Sequence, residues 1–288
     1  MIIDGHCHSW RRWPYDPGVP DPDTRGSVET LLDELDRHQV ERALVICARI
    51  GATAGPECRN DDNNDYVAAA VRRHPDRLVM AADVDSRWLP EHHTSGAAAR
   101  LRETATRYGI SAFTHYVGDE DDGWLTTDDG TEFFAAAADL GLIASLAVTP
   151  SWFGAVGHIA RLLPGLPILL HHSGLVRLWS SSFEDDIRTL LELAEAPNVF
   201  VKVPGFHYLS RPSFEYPFPE ACTRVLRPLA DTFGAHRLIW GSDFPVAQSH
   251  LTYRQSLALV QDHTPFWTDA ERSQVMGATL EGLLARRL

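Results

Sequence analysis

The chain has 288 residues, 44% of them hydrophobic, which suffices for one large barrel or for two smaller domains. Its formal net charge of −13 argues against a nucleic-acid partner, because the polyanion would be repelled. The N-terminus lacks the basic start and apolar core of a signal peptide, and no stretch approaches about 18 uninterrupted apolar residues, so we expect no membrane partner.

Short apolar runs rich in β-forming residues alternate with longer runs of helical period along the whole chain. We predict eight strands, at residues 2–6, 43–48, 77–84, 110–116, 142–148, 167–172, 199–203 and 237–242. Helical patterns separate them, and two more helices follow the eighth strand, around residues 250–262 and 268–286. This unbroken alternation predicts a single domain over residues 1–288, a (β/α)8 TIM barrel. The alternative is an open doubly wound sheet, which usually carries a glycine-rich phosphate turn after its first strand; none is present here.

The predicted connections differ in length on the two sides of the barrel. Helix-to-strand connections are short, whereas the strand-to-helix stretches at residues 9–27 and 204–219 are long, proline-rich and aromatic. Long loops on one face of a barrel mark the face that binds and reacts. We therefore predict a partly rigid rim or lid over a pocket, with Trp10 among its residues. The alternative is that these aromatic side chains only bury loop backbone.

The four cysteines are scattered along the chain and form no Cys-x-x-Cys motif. In a chain of this size the pattern indicates reduced thiols and a cytoplasmic protein. Cys7 lies between His6 and His8, and on a strand it would face the opposite side, so we assign it to packing.

Polar side chains follow several predicted strands at their carboxyl ends, which a barrel gathers around one axis. Histidine and aspartate are natural ligands of a borderline divalent metal such as zinc, and they also suit water activation without a metal. The residues concerned are His6 and His8 after strand one, His115 after strand four, His171 and His172 after strand six, and Asp243 after strand eight.

Three segments resemble the amidohydrolase superfamily, specifically its amidohydrolase 2 group: IIDGHCHSW (2–10), ILLHHSG (168–174) and RLIWGSDFP (237–245). The segment NDYVAAAVRRHPDRLV (64–79) is similar to the second helix and third strand of that group. The resemblance spans nearly the whole chain in the right order. It implies a TIM-barrel enzyme, because the group includes lactonases and zinc-dependent decarboxylases.

The chain departs from the decarboxylases of that group, which carry a further metal-binding histidine at the end of strand five. Here the region reads LIASLAVTPSW, and Val148 and Thr149 are poor ligands. Strand four also lacks the lysine that bridges two metals in binuclear relatives, which argues against a two-metal site. A one-metal site would use His6, His8, Asp243 and His172; metal-independent catalysis, as the family's lactonases imply, stays open.

Further residues are candidates for binding the substrate. Lys202 interrupts the buried-strand pattern VFVKV and resembles a lysine of related lactonases, where it would bind a carboxylate or an oxyanion; alternatively its amine reaches solvent at the barrel mouth. Arg49 and Arg177 are candidate anion anchors, and His115 lines the pocket or makes a structural hydrogen bond. Strand neighbours face opposite ways, so we expect only one of the adjacent histidines to enter the pocket. The resemblance implies that it is His172, which lies two residues before Gly174 as in the motif of the group.

The first functional hypothesis is a hydrolase of a small-molecule lactone or ester, with an amide also possible. Asp243 deprotonates a water, alone or with metal assistance, while His6, His8 and the metal, or His172, polarise the carbonyl oxygen. The second hypothesis is a metal-dependent decarboxylase of an aromatic or muconate-type acid. The third is a non-catalytic barrel that binds a small acid. Homodimers are common among relatives, so a homodimer is possible, and the sequence leaves the oligomeric state open.

Overall fold

The computed structural model describes residues 1–51 and 58–285 of the chain. In this described part, eight strands lie side by side in chain order, and each neighbouring pair in that order is parallel. The predicted (β/α)8 TIM barrel is confirmed, and the open doubly wound sheet is excluded. The strands are β1 (Ile3–Cys7), β2 (Arg42–Ile46), β3 (Leu78–Asp83), β4 (Ala112–Tyr116), β5 (Ile143–Ala147), β6 (Ile168–Leu170), β7 (Val199–Val203) and β8 (Leu238–Trp240).

Helices follow the strands and form the outer layer of the barrel. Their ends carry the expected signals: the Ser27 side chain accepts from the Thr30 backbone N–H at the start of the first helix, and Gly109 ends the third at a φ of +63°. The described helices are α1 (Val28–Arg37), α2 (Asn63–Arg73), α3 (Ala97–Tyr108), α4 (Asp128–Asp139), α5 (Phe153–Leu162), α6 (Phe183–Glu192), α7 (Phe206–Leu209), α8 (Pro219–Ala221), α9 (Arg227–Phe233), α10 (Tyr253–Gln261), α11 (Asp269–Ser273) and α12 (Thr279–Ala285).

The helices after β8 correspond to the two that the sequence predicts there. A π-helical segment, Gln274–Ala278, joins α11 to α12, so the second of them is continuous. Another, Cys222–Leu226, joins α8 to α9. In the described part of the chain, no helix combines the length and the apolar character needed to cross a bilayer.

Strand residues alternate between two apolar layers, as the period of two requires. Phe113 of β4 points outward and packs with Phe133 and Phe134 of α4. The inward residues form a separate cluster that Leu280 and Leu283 of α12 join where the strands begin. The apolar interior therefore fills the floor of the barrel and leaves the carboxyl ends of the strands to polar residues. The inward strand residues are Ile3, Leu44, Ile46, Ala81, Ala112, Ile143, Leu169, Phe200 and Ile239.

The seam between β8 and β1 is closed by the buried carboxylate of Asp4. One of its oxygens accepts from the backbone N–H groups of His6 (3.1 Å) and Ser242 (2.9 Å). The other accepts from the Ser242 hydroxyl and from the Tyr253 hydroxyl (2.9 Å). Burial raises the pKa of Asp4 to about 6, against the effect of these hydrogen bonds. Because Ser242 directly precedes Asp243, this carboxylate fixes the position of the residues that follow β8 against β1.

Backbone contacts complete the seam. The Asp243 N–H donates to the His6 carbonyl (2.8 Å), and the His8 N–H donates to the Phe244 carbonyl (2.6 Å). Gly241 is required here, because a Cβ at this position would lie 2.5 Å from the Cβ of His6. The two chain segments therefore approach as closely as a backbone without a side chain permits.

We expect Asp4→Asn to lower the free energy of unfolding by about 1–3 kcal/mol, because the amide nitrogen would face a donor and leave it unsatisfied. Urea unfolding followed by circular dichroism measures the change. Asp33→Asn is the matched control, since Asp33 is exposed and its ion pair with Arg37 contributes little. An Asp4→Asn protein as stable as this control would contradict the role of the carboxylate in closing the seam.

Candidate active site

Asp243 lies in the loop after β8, at the carboxyl mouth of the barrel. Its side chain is buried, and its backbone has a φ of +56°, in the left-handed region that few residues other than glycine adopt. The hydrogen bond from its N–H to the His6 carbonyl holds this conformation. A strained, buried carboxylate at the mouth of a barrel marks a candidate reactive group.

Three imidazoles face one oxygen of Asp243. The Nε2 atoms of His8, His6 and His172 lie 3.4, 3.6 and 3.8 Å from Asp243 Oδ1. His6 is on β1 and His8 directly follows the last residue of that strand, so the two side chains, two residues apart, point to the same side. The structure thus brings together four of the residues that the sequence proposes for catalysis and metal binding.

The second oxygen of Asp243 is held by two residues that the sequence analysis did not assign to the site. His207 Nε2 lies 3.1 Å from Oδ2, and the Tyr208 hydroxyl donates to the same atom at 2.9 Å. Both residues belong to α7, in the long loop after β7. The length of this loop indicates the reactive face, but no motif in the sequence marks a histidine inside the loop as part of the site. These two contacts orient the carboxylate so that Oδ1 faces the three imidazoles.

The charge of Asp243 is strongly stabilised. Burial alone would raise its pKa, but His172 and the hydrogen bond from His207 outweigh burial and hold the pKa well below the ordinary value. Burial lowers the pKa of His172 to about 3 and that of His6 well below its ordinary value. At neutral pH the site therefore contains an ionised carboxylate beside the neutral imidazoles of His6 and His172.

Two buried polar atoms of the site point at each other without a protein partner. Among the described residues, no hydrogen bond of normal geometry reaches Asp243 Oδ1 or His6 Nε2. His8 Nδ1 lies 2.8 Å from the Ile46 carbonyl and donates to it, so its lone pair is on Nε2, toward Asp243. Ligand atoms of His6, His8 and Asp243 lie within 4.8 Å of one another. Two imidazoles and a carboxylate at this spacing fit a divalent metal.

Lys202 lies beneath His6 in the barrel interior, and only 1% of its surface is exposed. Its Nζ donates to Ser145 Oγ at 2.7 Å and lies 3.3 Å from His6 Nδ1. Burial lowers the pKa of Lys202 to about 7. The amine therefore does not reach solvent at the mouth. It supports the His6 ring from below, and a neutral amine can accept a hydrogen bond from Nδ1–H, which leaves the His6 lone pair on Nε2.

Both adjacent histidines after β6 reach the site, whereas the alternation of a strand predicts only one. The rings of His171 and His172 each lie 4.4 Å from the ring of His6, centroid to centroid. His171 Nε2 also lies 2.7 Å from Ser145 Oγ. The strand ends at Leu170, and His172 has a φ of +46°, so the alternation no longer applies. A second group of possible metal ligands, His6, His171 and His172, results.

Trp10 contacts the site through His8. Its ring stacks on the His8 ring at 4.9 Å, and its indole N–H donates to the Ala48 carbonyl at 3.0 Å. Trp10 and Trp13 are buried in a small apolar cluster, whereas Tyr15 is 47% exposed. The aromatic residues of the first long loop therefore divide between packing and the rim of the mouth.

Three residues predicted to bind substrate make contacts that do not involve Asp243. His115 is on the outer face of β4, where its Nδ1 donates to the Val84 carbonyl at 2.9 Å. Arg49 donates from Nε to the Asp61 carbonyl at 2.9 Å. Arg177 is exposed and lies over the ring of Trp179, 5.4 Å from its centroid. None of these contacts connects the three side chains to the group around Asp243.

A parallel barrel with imidazoles and a buried carboxylate at its carboxyl mouth has the architecture of a barrel hydrolase. The amidohydrolase family model matches residues 3–279, and the chain belongs to this family. It is therefore an amidohydrolase-family hydrolase, as the resemblance in the sequence implies.

Individual relatives agree with this assignment. The chain is 35% identical to the L-fucono-1,5-lactonase of Burkholderia ambifaria over 258 residues, which are 85% of this chain and 81% of the relative. It is 34% identical to the 4-sulfomuconolactone hydrolase of Hydrogenophaga intermedia over 80 residues, 28% of this chain and 25% of that one. An amidohydrolase from Burkholderia multivorans, solved with bound zinc, has a similar fold, with a TM-score of 0.78 at 19% identity and coverage of 99% of both chains.

Lys202 is the only lysine of the chain, so its titration can be observed directly. In metal-free protein carrying ¹³C-labelled lysine, we expect one side-chain resonance that titrates at about pH 7 instead of the ordinary 10.5, because burial disfavours the ammonium. Lys202→Met removes the resonance and serves as the control. A midpoint above about pH 9 would contradict the desolvated environment.

The same shift has a consequence for stability with a defined sign. Between about pH 7 and pH 10 the unfolded chain binds a proton that the folded chain has lost, so the wild type gains stability as pH rises. The gain in the wild type is at most about 1.4 kcal/mol for each pH unit, and we expect it to be absent in Lys202→Met. Unfolding free energies that change in parallel with pH in the two proteins would contradict the lowered pKa of Lys202.

Proposed function

We propose that the chain hydrolyses the ester bond of a small-molecule lactone at Asp243. The observation that carries the proposal is that the two carboxylate oxygens make different contacts. Oδ2 is held by His207 and Tyr208, while Oδ1 faces three imidazole nitrogens within 3.8 Å. One oxygen is thereby positioned, and the other is directed at the place where water and a carbonyl group would meet.

The proposed residues have distinct roles. Asp243 Oδ1 accepts a proton from the attacking water as the oxygen of that water bonds to the lactone carbonyl carbon. The bond from that carbon to the ring oxygen then breaks, and Asp243 returns the proton to the leaving oxygen. His172, neutral because burial lowers its pKa to about 3, polarises the carbonyl oxygen by hydrogen bonding. Water and lactone give one hydroxy acid.

The low pKa of Asp243 makes the carboxylate a weak base on its own, which supports assistance by a divalent metal. We propose zinc, held by His6, His8 and Asp243, with His172 beside them. The bound ion would lower the pKa of a water and polarise the carbonyl group. The B. multivorans amidohydrolase with bound zinc supports this choice, as does the fit of the nitrogen and oxygen ligands.

Relatives indicate the substrate class. The 35% identical relative acts, by its name, on a 1,5-lactone of a sugar acid, and the partial relative on a muconolactone. A ring ester is the feature common to both names. We therefore propose a lactone as the substrate, with sugar-acid 1,5-lactones as the first compounds to test. Tyr208 and the exposed Tyr15 would offer hydroxyl groups to a polar ring at the mouth.

Two side chains argue against the decarboxylase alternative. At the end of β5, where those relatives carry a histidine, Val148 is buried in the outer apolar layer. Thr149 directs its hydroxyl to the Asp119 carbonyl at 2.6 Å. Neither contact leaves a ligand for a metal at this strand. The third hypothesis, a non-catalytic barrel that binds a small acid, has no support in the arrangement around Asp243.

We further propose that residues 1–288 work as a single domain in the cytoplasm, as a homodimer. The four cysteines support the location, since all of them are buried and free, as expected for reduced thiols. The frequency of dimers among relatives supports the homodimer, and sedimentation velocity would test it.

We expect Asp243→Asn to lower kcat/KM on the best lactone of a panel by at least ~10²-fold, because the amide cannot accept the proton. Lactone hydrolysis is followed by acid release with a pH indicator. Asp231→Asn, which changes an exposed aspartate of α9, should keep wild-type activity. A loss smaller than threefold in Asp243→Asn would refute the proposed role of this residue.

Metal removal tests the cofactor separately. Protein treated with a chelator and desalted should lose ~10²-fold or more of its lactonase rate, since a metal contributes several kcal/mol to such reactions. Zinc should restore the rate in the wild type and not in His8→Gln, which lacks one ligand. Full activity in protein shown to be metal-free would instead establish metal-independent hydrolysis.

A further inference from the structure

A second group of histidines lies outside the barrel, between the β3–α3 loop and the end of β4. His92 and His93 belong to the loop, and His115 is on the outer face of β4. Each can offer one ring nitrogen, and these nitrogens lie within 4.8 Å of one another. The group shares no residue with the site at Asp243, and the proposed hydrolysis does not use it.

Hydrogen bonds fix the tautomer of all three rings. His92 Nδ1 lies 2.7 Å from the Asp85 carbonyl, and His115 Nδ1 lies 2.9 Å from the Val84 carbonyl. His93 Nδ1 lies 2.6 Å from Asp122 Oδ2. Carbonyl and carboxylate oxygens only accept, so each Nδ1 carries a hydrogen. In the neutral rings the lone pair is therefore on Nε2, as in metal-binding histidines whose other nitrogen donates to an oxygen.

This arrangement places two lone pairs against each other. His93 Nε2 and His115 Nε2 are only 3.1 Å apart, which is repulsive unless a proton or a cation lies between them. Two nitrogens on one tetrahedral zinc, each about 2.0–2.1 Å from it, lie roughly 3.3 Å apart. The observed separation is close to this value.

The surroundings hold the ring of His93 in place and favour a cation. Zinc binding requires His92, which stacks on the ring of His93 at 3.6 Å, to rotate until its Nε2 also points at the ion. His93 itself stacks on the ring of Trp124 at 4.3 Å with an angle of 6° between the planes. Its backbone has a φ of +52°, a conformation that persists only where neighbouring contacts impose it. Asp121 and Asp122 add negative charge beside the ring of His93.

We propose that His92, His93 and His115 form a second zinc-binding site, distinct from the site at Asp243. Three neutral imidazoles are a zinc ligand set, and a water completes the tetrahedron. Asp122 is the carboxylate that orients one ligand through its second ring nitrogen. The ion would join the β3–α3 loop to β4, so bound zinc would add to the stability of the folded chain.

Zinc stoichiometry tests the proposal. Chelator-treated protein is equilibrated with zinc chloride, separated from free metal by gel filtration and analysed by mass spectrometry for zinc per chain. We expect His93→Gln to bind one zinc fewer than His158→Gln, a control that changes an exposed histidine of α5. This difference does not depend on whether the site at Asp243 also binds metal. Equal zinc content in the two variants would overturn the proposal.

Further measurements guard against misfolding and against binding to the surface. Circular dichroism establishes the fold of each variant, and the half-buried His92→Gln replaces His93→Gln if the latter does not fold. In the background His6→Gln/His8→Gln, cobalt should give the visible absorption of a tetrahedral complex, and His92→Gln should abolish it. Unchanged cobalt absorption after His92→Gln, or loss of zinc in His158→Gln, would assign the metal to other residues and refute the site.

Discussion

The buried carboxylate of Asp4 is the constraint on which the site depends. It accepts hydrogen bonds from β1, from the loop after β8 and from α10, and so joins the first and last strands of the barrel. Asp4 lies two residues before His6 in sequence, and its oxygens accept hydrogen bonds from Ser242, the residue before Asp243. The distances between the imidazoles of β1 and the carboxylate of the last loop therefore follow from the closure of the barrel. The contacts that close the sheet therefore also set the geometry of the candidate active site.

The polar groups of the site have separate contacts. Asp243 is ionised because His172 and His207 offset the cost of its burial, and its two oxygens differ in their contacts because His207 and Tyr208 hold only one of them. Beneath it, Lys202 and Ser145 form a polar layer that separates the imidazoles from the apolar floor. This layer keeps a protonatable group close to His6 while the mouth stays available to a substrate.

The sequence predicted the barrel well, because eight apolar runs separated by amphipathic helices have few other folded solutions. It also predicted that His6, His8, His172 and Asp243 belong to one mouth, since the carboxyl ends of barrel strands meet. Other features depend on geometry beyond the strands. His171 and His172 both reach the site because β6 has already ended, and His207 enters through a loop whose conformation no period describes. The outward position of His115 follows from the register of β4. Alternation predicts that neighbouring residues face opposite ways, but it does not say which of them faces inward.

The floor formed by Leu280 and Leu283 has a consequence for biosynthesis. These residues pack with Ile3 and Leu44, so the interior of the first two strands is covered by a segment made more than 230 residues later. On the ribosome, β1 can pair with β2 early, but its other edge waits for Ser242 and Tyr253. A nascent chain must therefore keep an unpaired edge and an open apolar interior until α10 and α12 have emerged, which exposes it to aggregation and to chaperones.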